Sequence, residues 1–230
     1  MMPILLLLYP NESPELLTSI SLAAVCANAT SGSVAYIRMR RVNFRAGWMF
    51  AAAGVPGTIL GAMVTSRLTR GVFDLIMGGA LVVLATFLIV KTLRGGTPPD
   101  VEGDTHQDFN APVGVGISAG VGFLSSLLGI GGGIIHVPAL VYVLRFPTHV
   151  ATATSHFVLA ISTFIVTIYH GATGALTGGW ERAAMLAVGV VFGAQVGARL
   201  SRRLKGTWII RCLAVALMTV GARVVYRALQ

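Results

Sequence analysis

Charge is what this 230-residue chain has least of: charged residues make up 11% of it, and only eight are Asp or Glu. A soluble domain of this size carries about 25% charged residues on its surface, so a water-facing globule is excluded. Every carboxylate, Glu12, Glu15, Asp74, Asp100, Glu102, Asp104, Asp108 and Glu181, falls in a loop or at the end of an apolar run. None is placed to ligate a cation or relay protons at mid-membrane, which argues against cation transport. Cysteine is nearly absent as well. Cys26 and Cys212 lie in separate apolar runs and read as small buried side chains rather than a disulfide or metal pair. No metal, no cofactor and no catalytic residue set is expected.

What is abundant is apolar: 55% of the residues are hydrophobic. Apolar segments run over about 15–37, 46–66, 72–93, 113–145, 148–170, 183–200 and 207–228, with a stub at 2–9. The spacing predicts an all-α, polytopic transmembrane bundle of seven to eight segments, which leaves no room for a large catalytic domain. The 17 Lys and Arg give a net charge of +9, but they sit in short loops and form no stripe interleaved with aromatics. They read as orienting and headgroup contacts with the lipid bilayer, not as a nucleic-acid surface. Met1 to Tyr9 lacks the basic start of a signal peptide.

The chain divides into a first half at 1–93, a polar linker at 94–112 and a second half at 113–230. Shifting the sequence on itself by 136 positions aligns Thr18–Leu68 with Thr154–Leu204 without a gap, at eleven identities in 51. Thr18-Ser19 falls on Thr154-Ser155, and the spaced glycines Gly57 and Gly61 fall on Gly193 and Gly197, pairs suited to helix contacts. Met2-Pro3 corresponds to Val137-Pro138, so a glycine-rich segment is expected ahead of the first half. Either the gene supplies it upstream of Met1 or the first half is completed another way.

The most informative stretch is Gly129-Ile-Gly131-Gly132-Gly133-Ile-Ile-His-Val-Pro138. Glycine costs about 1 kcal/mol per helix position, so this cluster with its following proline should break the helix in mid-run. At 1.5 Å per residue, Val113–Leu128 would be about 24 Å long and Ile134–Arg145 about 18 Å, each short of the ~30 Å hydrocarbon core. Irregular backbone at that depth must be buried in protein or line a cavity. Bared amides at the positive end of the following half-helix form a site for a small anionic substrate; the alternative is close helix packing on the glycines.

The hydroxyls of Thr18, Ser19, Thr154 and Ser155 could donate to that ligand, or bond their own helices. His156 and His170 stand 14 positions apart on one helix face and offer a proton or ligand contact. They also carry the rival reading, a haem-binding subunit of a membrane complex; a structural subunit without flux is the other rival. If 113–145 enters and returns as a hairpin, Arg38, Arg40, Arg41, Arg45, Lys91, Arg94, Arg145, Arg199, Arg202, Arg203 and Lys205 share one side. Arg67, Arg70, Arg182, Arg223 and Arg227 lie on the other. That bias is a positive-inside signal, and it would make the two halves inverted repeats.

The run GFLSSLLGIGGGIIHVPALVYVLRFPTHVATATSHF, with TSISLAAV, AYIRMRRVNFRAG and GVPGTILGA, resembles the sulfite exporter TauE/SafE family across essentially the whole chain. The resemblance implies a multi-pass permease of the bacterial or archaeal cytoplasmic membrane, carrying sulfite, sulfonates or related organic anions. It places the family's glycine break on Gly129, Gly131, Gly132, Gly133 and Pro138, and its Thr-Ser on Thr154 and Ser155. Self-association into a homo-oligomer stays open.

Overall fold

A computed structural model describes residues 2–93, 109–201 and 206–228, and among these residues every regular element is a helix. They are α1 (Met2–Leu8), α2 (Pro14–Arg38), α3 (Phe44–Thr65), α4 (Arg70–Leu93), α5 (Ala111–Leu128), α6 (Gly133–Tyr142), α7 (Thr148–Ala172), α8 (Trp180–Ser201) and α9 (Gly206–Ala228). Five are long and apolar enough to cross a membrane: α2, α3, α5, α7 and the Arg70–Phe87 part of α4. Large apolar side chains such as Val83, Met185 and Phe192, each at least 69% exposed, cover the outside of the bundle. Water would not tolerate that surface, whereas lipid matches it.

Local chemistry sets the helix ends. Ser13 and Asn43 cap α2 and α3 by accepting from the Leu16 and Ala46 amides, and Asn110 caps α5 by accepting from Val113. Helix α4 starts two residues ahead of the apolar run at 72 because Arg70 has work inside the fold. Its Nε donates to Asp74 one turn on at 3.0 Å, and its two terminal nitrogens donate to the Glu12 and Leu6 carbonyls at 2.6 and 3.1 Å. Arg182 closes the same end of the bundle, donating to Glu12 Oε1 at 2.9 Å over the Tyr9 ring. That bond to Glu12 raises the guanidinium's pKa above its ordinary value.

Contacts between helices fix their directions. Helices α2 and α7 run antiparallel: the N-terminal part of α2 (Leu16, Ile20) meets Gly179 just beyond α7, while Gly32 and Tyr36 meet His156 near its start. Helices α4 and α9 are also antiparallel, with Gly78 against Val225 and Leu81 against Gly221. Helix α3 runs parallel to α5, and a methyl group added at Gly57 or Gly61 would strike the Ala119 or Phe123 carbonyl. Backbone carbonyls on one helix thus touch the glycines of the other, the close approach that small residues permit. The pattern stops there: a Cβ at Gly193, the position equivalent to Gly57, would meet nothing within 4 Å. The expected helix contact on Gly193 is therefore not made among the described residues, and the surroundings of Gly197 lie outside them.

The glycine cluster does divide the fourth apolar segment. Helix α5 ends at Leu128 and α6 begins at Gly133, while Phe109 and Phe146, the rings flanking the pair, come to 5.5 Å of each other. The two half-helices therefore enter and return at one end of the bundle as a hairpin. A buried cluster around Phe50, Leu140, Leu144, Phe146 and Val150 holds that end together. Pro138 is not part of the break. It lies inside α6, where its missing N–H deprives the Ile134 carbonyl of a helical donor without stopping the helix.

Candidate functional site

The break is a four-residue turn whose two faces differ. Gly129 caps α5 in the left-handed region, at φ 59°, and Gly131 repeats that conformation at φ 77°, which favours glycine because it has no Cβ. Both lean on α2: a Cβ at Gly129 would stand 3.1 Å from Thr18 Cγ2, and one at Gly131 2.8 Å from Val25 Cγ1. The carbonyls at the end of α5 find hydroxyl donors from neighbouring helices. Ser21 donates to the Gly129 carbonyl at 2.6 Å, and Thr65 donates to the Leu127 carbonyl at 3.2 Å. These bonds satisfy two of the acceptors that a broken helix leaves in a waterless interior.

The amide end is treated differently. The Gly132 carbonyl takes the first helical bonds of α6, from Ile135 at 3.1 Å and His136 at 2.8 Å. The N–H groups of Gly131, Gly132 and Gly133 find no acceptor among the described residues. They sit at the positive end of a ten-residue helix.

Gly132 also lines a cavity of about 20 Å³ between α3, α5, α6 and α7, together with Gly54, Thr58, Ser118, Val121, Gly122, Ser125, His136, Ser155, Val158, Leu159 and Ser162. Four serines, one threonine and one imidazole thus converge on aliphatic walls, with no carboxylate or basic chain among the lining groups. His136 is 3% exposed and links two helices: Nε2 lies 3.1 Å from Ser118 Oγ of α5, and Nδ1 lies 3.2 Å from Ser155 Oγ of α7. The Phe50 ring stands edge-on to the imidazole at 6.0 Å. Thr58 spends its hydroxyl proton on the Val55 carbonyl. Ser162 Oγ is buried and has no partner among the described residues, a cost of about 1–3 kcal/mol that a bound group would offset.

Of the residues singled out by sequence, the structure brings Gly132 and Ser155 into this cavity. The others lie around it. Gly133 is half-buried, with nothing within 4 Å of where its Cβ would be. Thr154 accepts from the Asn43 amide at 3.1 Å, tying the start of α3 to α7. Ser19 donates to the Glu15 carbonyl in its own helix at 2.7 Å, while the buried Thr18 hydroxyl has no partner among the described residues. His156 donates from Nδ1 to the Thr152 carbonyl at 3.1 Å, with its ring against Tyr36. His170 is buried beside Tyr169, and both its nitrogens lack partners among the described residues. Neither ring lines the cavity.

Sequence reasoning passed over His136 and the serines that face it. A signal was present: Ser118-x-x-Val121-Gly122-x-x-Ser125 and Ser155-x-x-Val158-Leu159-x-x-Ser162 carry the same i, i+3, i+4, i+7 pattern. That spacing sets one polar-and-small stripe on each helix. Gly132 and His136, four apart, are one turn of such a stripe.

Comparison with known proteins agrees with this architecture. The profile of the family described as "Sulfite exporter TauE/SafE" matches residues 1–224. The "Probable membrane transporter protein YunE" of Bacillus subtilis (strain 168) is 28% identical over 233 residues, which cover 96% of this chain and 85% of that protein. A "Probable membrane transporter protein" of Xylella fastidiosa (strain 9a5c) is 30% identical over 236 residues, covering 98% and 85%. No solved structure matches. With its apolar helices, its broken hairpin and a profile match along nearly its whole length, the chain is a multi-pass membrane transporter that belongs to the sulfite exporter TauE/SafE family.

Proposed function

We propose that this transporter carries small anions bearing an –SO3⁻ group, sulfite and short sulfonates, across the cytoplasmic membrane of a bacterium or archaeon. The observation that carries the reading is the difference between the two ends of the break: the Gly129 and Leu127 carbonyls accept from Ser21 and Thr65, while the amides of Gly131–Gly133 have no acceptor among the described residues at the positive end of α6. An anion accepts from such donors and a cation is repelled by them. Hydroxyls supply the remaining donors. Gly132 and Ser155 touch the anion, while Gly129, Gly131 and Thr18 shape the turn from the α2 side.

The carrier works as two halves, 1–93 and 113–230, joined by the linker at 94–112 and rocking to expose the site alternately to either side. Supporting this, α8 has the limits of α3 moved by 136 positions at both ends, and α9 starts 136 positions after α4. The corresponding pairs α2/α7 and α4/α9 run antiparallel, as inverted halves would. A cavity of about 20 Å³ holds little more than one water, so an –SO3⁻ group enters only when the walls part.

The test is uptake of labelled methanesulfonate into proteoliposomes, with sulfite as competitor. Gly132 has φ −60°, so a side chain there does not strain the backbone; its Cβ would stand 2.7 Å from Val121 Cγ1, which must turn aside, and the rest of it fills the cavity beside Ser125. Overpacking of this kind costs about 1–3 kcal/mol, so uptake is expressed per inserted protein, and on that scale Gly132→Leu is expected to lose at least 90% of it. Wild-type flux no faster than through empty vesicles would refute the reading.

A further inference from the structure

We propose that His136 is the proton carrier of this site: by taking up one proton it releases the one serine hydroxyl that was donating to it, so that Ser118 and Ser155 can both point toward the cavity and one proton travels with each anion. The inference rests on the anion site described above and adds the ion that drives it.

The argument is hydrogen-bond accounting. A neutral imidazole has one N–H and one bare nitrogen, and His136 meets a serine at each, at 3.1 and 3.2 Å. The serine facing the bare nitrogen must donate its only proton to the ring. The serine facing the N–H accepts from the ring and keeps its own proton for the cavity. The neutral pair therefore offers an anion one hydroxyl donor. Once the ring holds two N–H groups, both serines accept from it, and both hydroxyl protons are free to point at the anion. Protonation adds a donor and a positive charge in the same step.

Among the described residues, nothing else near the ring could take this part. Helix α3 presents Phe50 and Gly54 to it, and α5 and α7 present hydroxyls and aliphatic groups; no ionisable side chain from any of these walls faces His136. An imidazolium alone or an anion alone would be costly between these aliphatic walls, where His136 is buried. The two together are neutral, so each favours the other by the same factor, as linkage requires. The unpartnered Ser162 hydroxyl supplies a further donor.

The step balances simply. On one side the ring nitrogen gains a proton from water and the anion binds; on the other side the anion leaves and the same nitrogen returns the proton to water. No bond within the anion changes.

The experiment uses the full chain in proteoliposomes with the membrane voltage clamped at zero by potassium and valinomycin. The probe is labelled methanesulfonate, which stays ionised and does not leak as a neutral acid. With the outside one pH unit more acidic, wild type should accumulate the anion about tenfold, since one pH unit is worth a factor of ten when one proton accompanies each anion. His136→Gln keeps a neutral donor and acceptor but cannot take the extra proton, so it should allow downhill uptake and show no accumulation. Ser155→Ala retains the imidazole and should still accumulate tenfold, with a raised half-saturation concentration. This second variant decides the matter if His136→Gln does not insert. Wild-type flux without accumulation, accumulation by His136→Gln equal to wild type, or transport by Ser155→Ala without accumulation would each overturn the proton assignment while leaving the anion site standing. Absence of any wild-type methanesulfonate flux would instead overturn the site itself.

Discussion

The two faces of the glycine turn use the same residue for opposite purposes. On the α2 face, Gly129 and Gly131 are required by backbone geometry, with φ of 59° and 77° and α2 side chains packed against them. On the α6 face, Gly132 and Gly133 have ordinary helical geometry, and what they provide is room and bare amides. A glycine cluster in a membrane helix is therefore not one signal but two. The first face makes the break stable; the second makes it open.

Substitutions on each face can break or sharpen that contrast. The largest effect is expected at Gly131→Ala, where a left-handed alanine costs about 1–2 kcal/mol and the methyl presses on Val25. The thermal midpoint in detergent should fall by several degrees, and transport should fall with the amount of folded protein. A midpoint equal to wild type would show that α2 does not hold the turn. Next is Ser21→Ala, which removes the 2.6 Å donor to the Gly129 carbonyl and should cost about 1–2 kcal/mol for a buried acceptor left bare. Its half-saturation concentration for methanesulfonate should stay within twofold of wild type, because the loss is on the α2 face; a larger change would merge the two faces. The smallest effect belongs to Gly133→Ala. Nothing lies within 4 Å of the added methyl and alanine favours the helix by up to about 1 kcal/mol, so the midpoint should hold or rise slightly with uptake unchanged. Loss of uptake there would put Gly133 in contact with the anion.

The all-helical architecture and the position of the break were legible because both follow from local chemistry: long apolar runs, and four glycines in five residues. Gly57 and Gly61 were legible as contacts for the same reason. The identical spacing at Gly193 gave the same signal with the opposite outcome, since a glycine pair says that a helix can approach and not that one does. Pro138 misled in a related way: ten residues of α6, carried by packing on α5 and α7, outweigh one missing hydrogen bond. His156 drew attention because it stands 14 positions from His170 on one helix face, whereas His136, between Ile135 and Val137, sits in an apolar run. Only its placement between α5 and α7 shows that both ring nitrogens meet serines.

The sequence by itself settled that this chain lives in lipid, that its fourth apolar segment cannot run on as one helix, and that its carboxylates fall in loops or at the ends of its apolar runs. Composition and backbone preference act residue by residue and need no partner. The tertiary structure alone decided that the Gly129 and Leu127 carbonyls would accept from α2 and α3 while the amides of Gly131–Gly133 have no acceptor among the described residues, and that His136 would bridge Ser118 and Ser155. Those bonds join residues up to 108 positions apart, and only the packing of whole helices brings them to 2.6–3.2 Å.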